Sequence, residues 1–210
     1  MEKSREEEVV NSATHFIAAI GTILSTFLIL FFGHIADSLR LSIIIMGGLA
    51  TWTFFSSYLY HSSQTSRMRE RNRIVDKCAI YMMISGSGCA LSLIVPGVFF
   101  SVSSCVCLLL ISSYFIMLLC TRPRMSETFS VASYVLLGWF AFIPATGLFY
   151  DSPLTTGISF TLAIVGTIFY SIGVVFYVGD SRKWYHTVWH VLVMFGFSFH
   201  FAALILTKVS

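Results

Sequence analysis

Seven long apolar segments, separated by short polar stretches, make up most of this chain. They cover about residues 13–33, 41–61, 75–95, 98–120, 129–149, 157–178 and 186–206. Each is long enough to cross a bilayer as a helix, which takes roughly 20 residues. Runs such as 43–46 and 107–111 do not alternate apolar and polar residues, as the strands of a membrane barrel would. The pattern therefore predicts an all-α, integral membrane bundle of seven transmembrane helices that forms one domain over residues 1–210.

The composition agrees with a membrane protein and argues against a water-soluble globule. Of the 210 residues, 56% are hydrophobic and 11% are charged, whereas a soluble domain carries about 25% charged residues. The five cysteines form no Cys-x2-Cys pair and are interpreted as small buried residues. The net charge of +3 is small. Because the basic residues flank the apolar segments, we expect membrane lipids rather than nucleic acid as partners.

Lysine and arginine are distributed unevenly between the two ends of the predicted bundle. Of the 13 such residues in the chain, Arg40 and Lys208 fall on one side. The others fall on the opposite side, in the N-terminal tail and three connections: Lys3, Arg5, Arg67, Arg69, Arg71, Arg73, Lys77, Arg122, Arg124, Arg182 and Lys183. Since cytoplasmic loops are enriched in these residues, the bias predicts a cytoplasmic N-terminus and an external C-terminus.

Three histidines are predicted to meet near the cytoplasmic end of the bundle. His61 ends the second segment, while His186 and His190 begin the seventh at a spacing of four that places both on one helical face. The predicted topology brings these ends to a similar depth. Three neutral imidazoles and a water make the open tetrahedral zinc site of hydrolytic enzymes. The sequence therefore predicts zinc held by these three side chains.

Asp76 and Ser57 are the candidate catalytic residues beside this zinc site. Asp76 opens the third segment at the same depth, and Ser57 lies one helical turn from His61 on the same face. Asp76 could bind the metal or take a proton from its water, or it could simply pair with Arg73 or Lys77. Ser57 could orient the water or a substrate carbonyl, or it could hold two helices together.

A second group of polar residues opens the first segment. Glu8, Asn11 and His15 follow one another at offsets that share one helical face. His15 could approach the zinc site or hydrogen bond to its ligands. Glu8 and Asn11 could instead cap the first helix, and the sequence favours neither interpretation.

These residues resemble the hemolysin III family, which lies within the progestin and adipoQ receptor group and is similar to the alkaline ceramidases. Three motifs carry the resemblance over about residues 7–206: Glu8-x2-Asn11-x3-His15, then Ser57-x3-His61 followed by Asp76, and finally His186-x3-His190. The resemblance implies a seven-helix bundle with a cytoplasmic N-terminus. It also implies zinc on the three matching histidines and a water ligand near Asp76.

Three functions stay open beside this resemblance, and we favour the first. The first is zinc-dependent hydrolysis of a lipid amide such as ceramide, with a lipid substrate or fatty acid inside the bundle. The second is a non-catalytic receptor or regulator of membrane lipid homeostasis, in which zinc is structural. The third is a pore-forming cytolysin. The fourth to sixth segments carry only scattered Ser and Thr residues, so the sequence gives the third little support. The short chain is similar to the bacterial members, which implies a multi-pass protein of the bacterial inner membrane.

Overall fold

The described residues form seven α-helices and no strand. The computed structural model describes residues 4–94, 98–122, 126–147 and 155–207. The helices are α1 Arg5–Phe32, α2 Asp37–His61, α3 Ser66–Ser92, α4 Val98–Thr121, α5 Glu127–Gly147, α6 Thr155–Val178 and α7 Tyr185–Ile205. Three of the basic residues behind the predicted topology, Lys3, Arg124 and Lys208, lie outside the described residues. The predicted segment ends at 95 and 148–149 also lie outside them.

Six of these helices are long and apolar enough to cross a membrane: α1, α2, α3, α4, α6 and α7. The fifth, α5, is apolar along Glu127–Ile143. Large apolar side chains such as Ile17 and Phe31 are 66% and 71% exposed on the outer face of α1, as expected where lipid replaces water. The all-helical, multi-pass architecture is therefore confirmed. The orientation across the membrane and the crossing by α5 stay predictions.

Two helices begin well before the apolar segments that they contain. Ser4 caps α1, since its hydroxyl accepts the N–H of Glu7 while the Glu7 carboxylate accepts the N–H of Ser4. Thr65 caps α3 by accepting the N–H of Met68. Hydropathy marks where a helix enters the membrane, whereas capping groups mark where it begins. As a result, Glu8 and Arg69 project from rigid helical turns rather than from loops.

Helix α7 packs against α1, α2 and α6, and α3 packs against α2, α4 and α5. One apolar cluster joins α1, α2, α6, α7 and the end of α3, and a second joins α3, α4 and α5. The backbones of α6 and α7 approach closely, because a Cβ placed on Gly166 would lie 2.8 Å from the carbonyl oxygen of Gly196. This packing brings the last turn of α2 and the first turns of α1, α3 and α7 together at one end of the bundle.

Candidate metal centre

The three predicted histidines lie together at that end of the bundle. One ring nitrogen from each of His61, His186 and His190 lies within 4.8 Å of the other two. The ring centroids are 5.1 Å apart for His61 and His186, 4.9 Å for His61 and His190, and 4.5 Å for His186 and His190. His61 and His190 are only 5% and 2% exposed. The site is therefore a compact, buried group of nitrogen donors.

The first turn of α7 is held in place by α1. Trp184, just before α7, has a φ of 67°, which is a left-handed conformation that costs a non-glycine residue roughly 1–2 kcal/mol. The Glu7 carboxylate of α1 accepts the N–H of Trp184 at 2.7 Å, and this contact satisfies one of the free N–H groups of a helix start. This anchor fixes where His186 and His190 project.

Two of the three imidazoles have a carboxylate on the ring nitrogen Nδ1. His61 Nδ1 lies 2.7 Å from Glu8 Oε2, and His186 Nδ1 lies 3.1 Å from Asp180 Oδ2. An ionised carboxylate only accepts hydrogen bonds, so Nδ1 of each histidine carries the proton. The lone pair of each ring is then on Nε2, as in the carboxylate–histidine–metal arrangements of known metal sites.

The residues present fit a metal ion. His61 Nε2 is buried and has no hydrogen-bond partner among the described residues, although buried polar groups are normally paired. Imidazole nitrogens suit zinc and other late transition metals, and three of them leave a position open. The group within mutual reach contains histidines and no carboxylate, so at this geometry Asp76 is not a fourth member of the donor set.

Asp76 lies beside Ser57, and the nearby cations are engaged elsewhere. The Ser57 hydroxyl hydrogen bonds to the Asp76 carboxyl group. Lys77 Nζ instead donates to both oxygens of Glu127, at 2.7 and 2.8 Å, and Arg73 Nη1 lies 3.2 Å from Glu127 Oε1. The charge of Lys77 also acts on the Asp76 carboxyl group, so the alternatives that the sequence left open for Asp76 stay predictions.

The polar group of α1 faces the histidines and does not cap its own helix, where Ser4 and Glu7 form the cap. Asn11 is fully buried, and its Oδ1 accepts the Thr187 hydroxyl at 2.6 Å. The ring of His15 lies 3.9 Å from that of His190, centroid to centroid. The alternative in which Glu8 and Asn11 cap α1 is thus wrong, because the chain enters the helix one turn earlier.

Three residues that support the centre were not singled out from the sequence. Glu7 anchors the start of α7, Arg69 holds Glu8, and Asp180 contacts His186. A signal for Glu7 was present, since Glu7, Asn11 and His15 recur every four residues and form the buried stripe of α1. Asp180 is an acidic residue in the short connection just before the two histidines of α7. Nothing in the sequence distinguishes Arg69 from the other arginines around it, which occur at every second position.

The fold and the site together define a class: a multi-pass helical membrane protein with a buried histidine triad that could hold a metal ion. Within that class, the chain belongs to the haemolysin-III related family, which matches residues 3–201. The predicted family resemblance is therefore confirmed.

Two relatives show how far the similarity extends. The hemolysin-3 homolog of Bacillus subtilis (strain 168) is 26% identical over 214 aligned residues, covering 91% of this chain and 89% of the relative. The hemolysin-3 of Bacillus cereus is 25% identical over 195 residues, covering 91% and 87%. The similarity thus extends over nearly the whole of each protein rather than over one motif.

Proposed function

We propose that this protein is a zinc-dependent hydrolase of lipid amides, with His61, His186 and His190 as the metal ligands. The observation that carries the proposal is the buried triad with its donor nitrogens within 4.8 Å of one another. Ser57, one helical turn from His61 on α2, hydrogen bonds to the carboxyl group of Asp76 on α3. A triad with an open position and a nearby carboxyl group is the donor set of a hydrolytic centre.

The residues of the chain divide the chemical work between them. When bound here, zinc supplies a Lewis acid that polarises a carbonyl group and makes a water molecule more acidic. Asp76 accepts a proton from the attacking water and later transfers it to the nitrogen of the departing amine. Ser57, hydrogen bonded to Asp76, keeps the carboxyl group directed at that water. The amide bond breaks between the carbonyl carbon and the nitrogen, so the products are a fatty acid and an amine.

Membrane lipids are the proposed source of the substrate. The helices around the triad expose large apolar side chains along their outer faces, so a substrate with acyl chains can reach the bundle from within the bilayer. We place the protein in the inner membrane of a bacterium, with the N-terminus in the cytoplasm. Reporter fusions to the C-terminus should be active only outside the cytoplasm, and activity in the cytoplasm would contradict this orientation.

Asp76→Asn is the experiment that tests the hydrolase. The substitution keeps the shape of the side chain but removes its ability to accept a proton. Zinc content should therefore stay at the level of the wild type, while release of fatty acid from ceramides and other N-acyl lipids should fall about 10²–10⁴-fold. Asp37→Asn is the matched control, because the Asp37 side chain is 97% exposed at the far end of α2 and should change neither quantity.

Each other result of this experiment identifies a rival. Loss of zinc in Asp76→Asn would make Asp76 a metal ligand and the site closed. A wild type with full zinc and no turnover on any acyl lipid would contradict the hydrolase and favour a receptor or a regulator of lipid homeostasis with structural zinc. A wild type without zinc would contradict the metal centre itself.

A cytolysin is the second candidate function, and the names of the two relatives, a hemolysin-3 and a hemolysin-3 homolog, favour it. Purified protein added to dye-loaded phospholipid vesicles should then release the dye at a rate that rises with protein concentration. Vesicles that retain the dye at every concentration tested, with correctly inserted protein, would contradict this function.

A further inference from the structure

The start of α1 carries two adjacent carboxylates that reach different helices. Glu7 accepts the N–H of Trp184 at the start of α7. Glu8 reaches His61 at the end of α2 and Arg69 in the first turns of α3. The proposed hydrolysis uses neither residue, so the first of the three sequence motifs still lacks a role.

Both oxygens of the Glu8 carboxylate are engaged. Oε2 accepts from His61 Nδ1 at 2.7 Å, and Oε1 accepts from Arg69 Nη2 at 2.5 Å. The His61 side chain is 1% exposed and that of Glu8 is 16% exposed. Water therefore has little access to this hydrogen bond, and a hydrogen bond to an ionised carboxylate is stronger than a neutral one in such surroundings.

The contact decides which nitrogen of His61 can bind a metal. Because a carboxylate cannot donate, the His61 proton is on Nδ1 and the lone pair is on Nε2. That Nε2 is the buried atom without a hydrogen-bond partner among the described residues. In the other tautomer, Nδ1 would present its lone pair to the carboxylate, and the proton on Nε2 would block metal binding.

Arg69 makes the arrangement rigid. It occupies the second carboxylate oxygen and stacks over the ring of Tyr60, with its guanidinium carbon 4.8 Å from the ring centroid. Rotation of the Glu8 carboxylate away from His61 would break this ion pair. One side chain of α1 thus links the ends of α2 and α3 and aims an imidazole at the same time.

We propose that Glu8 is a positioning residue of the metal centre, which holds His61 in the tautomer and orientation that present Nε2 to the ion. The inference rests on the proposed metal centre and assigns a role to the first motif that goes beyond it. Groups that hydrogen bond to the second ring nitrogen of a metal-binding histidine, here called outer partners, commonly contribute 10–100-fold to metal affinity. An ordinary ion pair between helices would stabilise the fold without affecting the tautomer of His61.

Glu8→Gln separates these two roles. Glutamine has the same shape but a single acceptor oxygen. Arg69 can only donate and therefore keeps that oxygen, so the glutamine NH2 faces His61 and no longer accepts its Nδ1 proton. The matched control is Glu6→Gln, two residues earlier on the same helix. The Glu6 side chain is 76% exposed and lies 3.6 Å from Lys183, so it pairs with a cation and contacts no histidine of the triad.

Two measurements on the full chain in phospholipid nanodiscs give the result. Competition with a chromophoric chelator measures zinc affinity, and ¹⁵N NMR of the metal-free protein reports which ring nitrogen of His61 is protonated, with signals assigned from His61→Gln. We expect protonation on Nδ1 in the wild type and in Glu6→Gln. In Glu8→Gln we expect loss of that tautomer preference and zinc affinity about 10–100-fold weaker.

Glu8→Asp covers the case in which Glu8→Gln does not fold. It keeps a negative charge beside Arg69 but is one methylene shorter, so it cannot reach both partners, and it should weaken zinc binding while Glu6→Asp does not. Wild-type affinity in the folded Glu8 variants, or Nε2 protonation of His61 in the wild type, would overturn the proposal while the metal centre stands. A wild type that binds no zinc overturns the metal centre and, with it, the role of Glu8.

Discussion

Helix α7 carries histidines in two regions, and the hydrogen-bond partners of the rings differ between them. His200 lies ten residues beyond His190, about 15 Å along the helix. Its Nε2 lies 3.0 Å from the carbonyl oxygen of Ala163 and 3.2 Å from the Thr167 hydroxyl on α6. At the start of the helix, His186 and His190 lie close to His61. The carboxylates of Glu8 and Asp180 contact His61 and His186, and His61 Nε2 has no hydrogen-bond partner among the described residues.

The difference separates a histidine that holds helices together from one that is available to an ion. The His200 ring donates to the carbonyl group of Ala163, so its N–H already has a hydrogen-bond partner within the bundle. The triad brings one ring nitrogen from each of three histidines within 4.8 Å of the others, and a buried lone pair such as that of His61 Nε2 is unfavourable unless a donor or a positive ion meets it. Burial alone would not distinguish the two regions, but the chemistry of the partners does.

The strongest test of this comparison is His186→Ala beside His200→Ala. Loss of a ligand should weaken zinc binding by more than the roughly 100-fold that an outer partner contributes, whereas loss of His200 should leave zinc affinity unchanged. Elemental analysis of both purified variants and chelator competition measure the effect. Zinc retained in His186→Ala, or lost in a folded His200→Ala, would remove the distinction between the two regions.

A smaller effect is expected at Asp180, which accepts from His186 Nδ1 at 3.1 Å. Its side chain is 41% exposed, compared with 16% for Glu8, so water can take over the hydrogen bond when the carboxylate is removed. Asp180→Ala should therefore weaken zinc binding by about tenfold, the lower end of the range for outer partners. Chelator competition is the measurement, with Glu6→Ala as the control. If Asp180→Ala lost more zinc affinity than Glu8→Ala, the exposure of the carboxylate would not decide how much each one contributes to zinc binding.

The sequence was sufficient for the parts of the molecule that follow from periodicity and hydropathy. Seven apolar runs predicted the seven helices, because a helix is the one spanning element that satisfies its own backbone within a single segment. The meeting of His61 with His186 and His190 followed from which segment ends share a side of the bundle. That step needed only topology and the spacing of four in α7.

The sequence could not supply the contacts that depend on the rotation of one helix against another. Glu6, Glu7 and Glu8 are adjacent and identical in type, yet Glu6 pairs with Lys183, Glu7 binds the start of α7 and Glu8 binds His61. Each step along a helix turns the side chain by about 100°, so their roles differ only once the neighbours of α1 are fixed. Helix ends were also displaced, because capping residues outside the apolar runs set them.

The smallest expected effect is at His200, where the prediction concerns stability alone. His200→Phe keeps a flat ring between α6 and α7 but removes the hydrogen bond to Ala163. Hydrogen bonds between membrane helices are worth about 0.6 kcal/mol on average and rarely above about 1.7 kcal/mol, because the unfolded chain in the bilayer finds other partners. Thermal or denaturant unfolding in detergent should show a loss within that range, with zinc affinity unchanged. Because Gly166 packs closely against this ring and phenylalanine is larger than histidine, a loss above that range would report overpacking rather than the missing hydrogen bond. His200→Asn, which is smaller and can still donate, is the control. A loss of zinc in His200→Phe with normal stability would mean that the two regions of α7 are coupled, and that the far end of the helix also sets the position of its histidines.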